Sequence, residues 1–167
     1  KTESGKIVLY SQRSASFGYA DCPPHPTWLE PDEWHGNAQT EQLQVLSAHP
    51  AHRLHSQLNY TSLREQYAVA GREPVTLHTD DAKARGIADG DVVRLGNALG
   101  SVALHARPAD GLQPDTVVVE SQWPNAAFIE GVGINALVSA EPGWPAAGVA
   151  YHDTSVWLER VAQPGRD

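Results

Sequence analysis

The sequence has no methionine and a single cysteine, Cys22. One thiol cannot build a disulfide framework, and it excludes a metal site made of several thiolates. Long hydrophobic runs are missing as well: none approaches the roughly 18 apolar residues that would suggest a membrane span. Basic charge is in short supply, with 12 Lys and Arg against 20 Asp and Glu, a formal net charge of -8. That balance argues against a generic nucleic-acid binder, which needs a basic surface to neutralise phosphates. It leaves room for a small phosphorylated ligand, for which a local pocket of donors suffices. The chain opens on Lys1 with no apolar signal-peptide core behind it, and reads as a processed product or a piece of a longer chain.

Proline and glycine are plentiful, 12 and 14 residues, which points to many turns rather than long helices. Residues 1–42 hold one short apolar run, Lys6 to Tyr10, then Pro23, Pro24, Pro26 and Pro31 interleaved with Trp28 and Trp34. This reads as an arm that lies against the barrel by its aromatics. Residues 43–161 read as the domain proper and 162–167 as a tail. Strands are expected over Leu43–Ser47, Pro74–His78, Val92–Leu95, Ser101–Ala106, Thr116–Val119 and Ser155–Val161. A helix is expected over 79–86, with Thr79 as its cap, Asp80 and Asp81 at its positive end and Gly86 as its stop. Short strands separated by Gly, Asp and Pro turns imply a mainly β fold with short helices, a small closed or nearly closed barrel. The long loop Ser121–Ala150 is of a length that is uncommon unless it is functional.

The most informative stretch is Gln42 to Arg64, which contains no Asp or Glu yet carries His49, His52, Arg53, His55 and Arg64. Ser47, Ser56, Gln57 and Asn59 add neutral donors. A donor-rich segment free of carboxylates suits a diphosphate or a polar heterocycle, although a polar loop beside a strand would look the same. The three histidines at intervals of three invite a metal reading, but Pro50 breaks the helix that would align them, and no acid lies near in sequence. Gly131 to Ala136 matches G-x-G-x-x-A, yet no strand leads in and Pro142 forbids a full helix leading out, so the glycines serve turns or a close backbone approach. Nucleophilic catalysis has no support: there is no G-x-S-x-G elbow, and Cys22 has no identifiable base.

The run Ser47–Gln57, then Gly71-Arg72-Glu73-Pro74-Val75, then Asp81 to Arg94, with Ile134–Leu137 and His152–Val156 closing, resembles a known family across nearly the whole chain. It is similar to the C-terminal molybdopterin-dinucleotide-binding domain of the dimethyl sulfoxide reductase family of molybdenum or tungsten enzymes. Residues 53–74 look most like the S- and N-oxide reductases, biotin sulfoxide reductase especially, while the loop 121–151 is closer in layout to nitrate reductases and formate dehydrogenases. The resemblance implies a double-psi β-barrel holding bis(molybdopterin guanine dinucleotide). It places Ser47, His49, Arg53, Leu54, His55, Ser56 and Gln57 along the pterin and its phosphates. Asn135 matches a loop asparagine that reaches the cofactor, and His152 stands where some members have a lysine. The metal ligand and any iron–sulfur cysteines belong to other domains, so this chain alone should have no turnover. Its partners are then the remaining domains of a parent oxidoreductase that transfers oxygen atoms, hydride or electrons. Two further readings stand beside this one: a non-catalytic double-psi barrel serving protein interaction, and a zinc enzyme using the clustered histidines.

Overall fold

The computed structural model describes residues 2, 4–120, 123–143, 147–149, 152 and 154–162. Six short segments of aliphatic and β-branched residues pair into one closed barrel. They are β1 (Leu43–Leu46), β2 (Pro74–His78), β3 (Val92–Gly96), β4 (Ser101–Ala109), β5 (Thr116–Val118) and β6 (Thr154–Arg160). Around the barrel they follow the order β1-β5-β2-β4-β3-β6. Two neighbouring pairs are parallel, β1 with β5 and β2 with β4, and the rest are antiparallel.

That order has an internal symmetry. Replacing each strand by the one three places along the chain gives the same ring read backwards, and it exchanges the two parallel pairs. The β1–β2 connection must then cross the end of β5, and the β4–β5 connection must cross the end of β2. These two interlocked crossovers are what define a double-psi β-barrel, the fold the resemblance implied.

Leu43, Val75, Leu77, Val93, Leu95, Val102, Leu104, Val117 and Val156 fill the interior, all at 0% exposure. Each such side chain contributes roughly 1.5–3 kcal/mol by leaving water. Phe128 and Leu137 from the long loop join the same core. Residues 123–138 of that loop therefore follow a fixed path, with 3-10 turns at Asn125–Ala127 and Ile134–Leu137. Asn97, in the β3–β4 turn, donates from Nδ2 to the Leu137 carbonyl at 2.8 Å and accepts from the Leu99 amide at 2.9 Å.

The short helix covers Thr79–Ala84, and its cap differs from the expected one. β2 stays extended through His78, paired with Ala109, so His78 is the last non-helical residue. Its Nδ1 accepts from the Asp80 amide at 3.1 Å, and Thr79 is the first helical residue instead. Asp81 does more than favour the helix dipole: it is buried and accepts from the Asp115 amide at 2.8 Å. Asp91 is buried too, accepting from the Ala88 amide at 2.9 Å and pairing with Arg160 at 3.0 Å. Gly86 and Gly90 have φ of +63° and +81°, which L side chains rarely adopt, and they close the turns between the helix and β3.

The chain divides into two compact units, Glu33–Ser139 with Tyr151–Asp167, and Lys1–Asp32 with Ala140–Ala150. The first contains the barrel, and Glu33 belongs to it: its carboxylate accepts from the Ser155 amide at 2.7 Å. In the second, the four-residue helix α1 (Gln12–Ala15) is capped by Ser11, and Tyr10 meets His25 edge-on at 6.3 Å. The run Ile7–Leu9 forms no strand, and Trp28 is exposed. Pro142–Gly143 and Gly148–Val149 make a small hairpin inside the long loop. Apart from Ala162, the expected tail lies outside the described residues, as do Ser121, Tyr151 and Asp153. Among the described residues no helix is long and apolar enough to cross a membrane.

Truncating Leu104 to Ala should cost about 2–5 kcal/mol in chemical denaturation, since the closed barrel can collapse only partly onto the void. Asn97→Ala should cost about 1–2 kcal/mol and raise amide exchange in residues 134–138, because it leaves the Leu137 carbonyl and the β3–β4 turn amides without their side-chain partner.

Candidate cofactor-binding site

Beyond Leu46 the chain leaves the barrel wall to begin its crossover, and a cavity of about 450 Å³ opens there. Three segments line it. Val45, Ser47, Ala48 and His49 come from the end of β1 and the residues after it. Ile134, Asn135, Leu137 and Val138 come from the second 3-10 turn, and His152 and Thr154 from the approach to β6.

Each wall is held by its neighbours. Thr154 is in register with Val45, and Gln44 donates to the His152 carbonyl at 3.3 Å. The 134–138 wall is pinned by Asn97 from behind, where a Cβ on Gly100 would meet the Ala136 carbonyl oxygen at 3.0 Å. Gly133, just before this wall, also cannot carry a side chain freely: a Cβ there would lie 2.5 Å from Asn125 Oδ1. Only a four-residue 3-10 turn follows the glycines, so the dinucleotide fingerprint has no helix to lead into. Upstream, Arg94 and Glu130 form a two-pronged ion pair, one prong at 2.9 Å, that ties the 128–131 turn to β3. Hydrogen bonds from Arg94 hold the Glu130 carboxyl below the usual carboxylate range.

The described lining contains no Asp or Glu. It offers two hydroxyls, two imidazoles and a carboxamide over an apolar floor, in a volume within the usual range of small-molecule sites. A polar heterocycle or an anionic group fits that donor set.

Of the site residues expected from sequence, Ser47, His49, Asn135 and His152 come together in this cavity. Leu54, His55, Ser56 and Gln57 lie on the exposed loop that follows and are not part of its lining. That loop turns sharply, with His55 and Leu58 at φ of +51° and +70°. Arg53 is placed otherwise: it is buried, its Nη1 donates to the His55 carbonyl at 2.8 Å, and its guanidinium lies 4.6 Å from the centre of the Trp123 ring. The three histidines do not converge. His49 and His55 meet edge-on at 5.7 Å, while His52 stacks on Tyr67 at 5.3 Å. Among the described residues no group of three or more His, Cys, Asp or Glu is arranged to hold a metal. Sequence reasoning missed the apolar lining, Val45, Ile134, Leu137 and Val138, whose pattern is that of ordinary core residues. It also missed Trp123, whose isolation in an irregular loop was the only available signal.

Comparison with known proteins points the same way. The family model for the molydopterin dinucleotide binding domain matches residues 43–155. The dimethyl sulfoxide/trimethylamine N-oxide reductase of Cereibacter sphaeroides is 49% identical over 124 residues, covering 73% of this chain and 15% of that protein. The biotin sulfoxide reductase of the same organism is 46% identical over 131 residues, covering 78% of this chain and 18% of its own length. The trimethylamine-N-oxide reductase of Salmonella typhi is 43% identical over 178 residues, covering 98% of this chain, so that match takes in the 121–151 loop, and 21% of that protein. Among solved structures, acetylene hydratase from Pelobacter acetylenicus shares the fold, with a TM-score of 0.76 at 17% identity over 96% of this chain and 24% of that one. The chain thus spans only about 15–21% of the length of these curated relatives. With the barrel, the matched span and these identities in agreement, the chain belongs to the molydopterin dinucleotide binding domain family, as the cofactor-binding domain of the dimethyl sulfoxide reductase family of oxidoreductases.

Proposed function

We propose that the cavity at the end of β1 receives part of a bis(molybdopterin guanine dinucleotide) cofactor, with Ser47, His49, Asn135 and His152 facing it. Leu54, His55, Ser56 and Gln57 meet the cofactor along the adjoining exposed loop, and Arg53 sets the shape of that loop from beneath. The observation that carries this reading is the described lining, where three segments distant in sequence present hydroxyl, imidazole and carboxamide groups and no carboxylate in a chain of net charge -8. A diphosphate needs such a surface, because any carboxylate alongside it would repel it at close range.

When bound, the cofactor supplies a redox-active metal, molybdenum or tungsten, that couples electron flow to transfer of an oxygen atom or a hydride. The part of this chain is to bind and orient the organic portion and to exclude water around it. Residues 1–42 lead into the barrel domain, 43–161, and 162–167 form its tail. The metal ligand and the reacting substrate are assigned to other domains of a larger oxidoreductase. The named relatives favour S- and N-oxides as its substrate class.

The test uses the full-length parent enzyme. Ser56→Ala combined with Gln57→Ala, and separately Asn135→Asp, should each lower guanine nucleotide and metal content per protein about tenfold, equivalent to about 1.4 kcal/mol of lost binding. Circular dichroism should stay unchanged. Full cofactor content in both variants would overturn the assignment.

A further inference from the structure

The crossover loop 47–73 is fastened to the barrel at a buried cluster some way along the chain from the cavity-lining residues. Arg53 and Arg64 both place their guanidinium carbons 4.6 Å from the centre of the Trp123 ring. Tyr67 meets the same ring edge-on at 5.7 Å and carries His52 stacked on it. Arg64 also donates to the Gly71 carbonyl at 2.7 Å, and Arg107 donates to the Tyr67 carbonyl at 2.6 Å. Beside this stack sits Glu73, 1% exposed, at the start of β2. Its amide donates to the Ala127 carbonyl at 2.9 Å, and its carboxyl lines a small cavity together with Tyr67 and Glu120.

A buried glutamate in such a place calls for a reason, since a glutamine or an aliphatic residue would fill the same space at less cost. Glu73 Oε2, Tyr67 Oη and Trp123 Nε1 have no hydrogen-bond partner among the described residues. A cavity of about 30 Å³, which Tyr67, Glu73, Arg107 and Glu120 help to line, has room for a water that could serve two of them.

We propose that Glu73 is a positioning residue: from one buried point beside the Tyr67–Trp123 stack it holds the crossover loop that carries Ser47–Gln57 against the segment that runs on to Asn135. The two long segments that furnish most of the cavity are thereby set against each other before any ligand arrives. This inference rests on the proposed function only for its consequence in cofactor retention, since the lock itself is a property of the fold.

The charged and titratable groups facing Glu73 are Glu120 after β5, Arg53 and Arg64 from the crossover loop, and Arg107 and Tyr67 across the small cavity. Burial, then repulsion from Glu120, push the Glu73 carboxyl up to about 9, against the pull of Arg53 and Arg64. The folded chain therefore keeps a proton there that the unfolded chain releases above about 4.5. Stability from this group is complete below that lower value and is lost as pH rises through about 9. Once ionised, Glu73 repels Glu120 beside the small cavity, which loosens the join between the loop and the segment after β5.

The experiment measures amide protection factors of residues 47–59 and bound guanine nucleotide in the full-length enzyme from pH 6 to 10, for wild type, E73Q and E73A. Wild type should lose protection in this loop with a midpoint near 9. E73Q, which stays neutral, should keep its protection across that range, and E73A should fall at least tenfold below wild type at pH 7. A wild-type midpoint that persists in E73Q overturns the proposal, as does full protection in E73A. Should E73A fail to fold, the comparison of E73Q with wild type decides alone. Protection is read whether or not nucleotide is bound, so a wild-type enzyme without nucleotide would count against the cofactor assignment and leave the test of Glu73 standing.

Discussion

Parallel pairing inside a small closed barrel is the constraint on which the rest of this structure depends. β1 lies parallel to β5, and β2 parallel to β4, while the chain must still visit β2 directly after β1. Neighbouring antiparallel strands can be joined by a tight turn; strands separated by another strand cannot. The chain therefore has to leave the wall at Leu46, cross the end of β5 and return at Pro74. That excursion is the donor-rich loop, and the space under its first residues is the cavity. The partner crossover, from Ala109 to Thr116, is short.

Because the loop runs outside the sheet ladder, its backbone has to be held by other means. Side chains supply them: Arg53 and Arg64 reach inward to Trp123 and to backbone carbonyls, and Arg72 donates to the Ala126 and Phe128 carbonyls. Elsewhere the buried carboxylates do similar work. Asp81 holds the turn before β5, where Asp115 has a φ of +59°, and Asp91 holds the turn before β3 against β6. In each case the burial of a polar group is offset by hydrogen bonds to backbone that the barrel itself leaves unsatisfied.

How much could be read in advance follows from the range of the interactions. Strands such as Pro74–His78 and Val92–Leu95 were legible because β-branched runs bounded by Gly and Asp encode them locally. The acid-free stretch from Gln42 to Arg64 was legible for the same reason: the absence of carboxylates is a property of composition and survives any folding. Thr79 was misjudged as a helix cap because β2 stays paired through His78, and that pairing is decided by Ala109, far away in the chain. The inward turn of Arg53 depends on Trp123, 70 residues later, and nothing near either residue announces it. The burial of Glu73 was equally hidden, since a glutamate between an arginine and a proline looks like any surface residue.

The sequence by itself determined the class of the molecule, a mainly β domain with turns in place of long helices, and the donor-rich, acid-free chemistry of residues 42–64. It did so because β propensity, turn residues and local charge are written residue by residue. The tertiary structure alone decided which donors converge, bringing Ser47, His49, Asn135 and His152 to one cavity while turning Arg53 into the protein. The physical reason is closure of the barrel: the strand order brings the ends of β1, the 134–138 turn and the approach to β6 together across more than a hundred residues of chain, and no local pattern specifies that meeting.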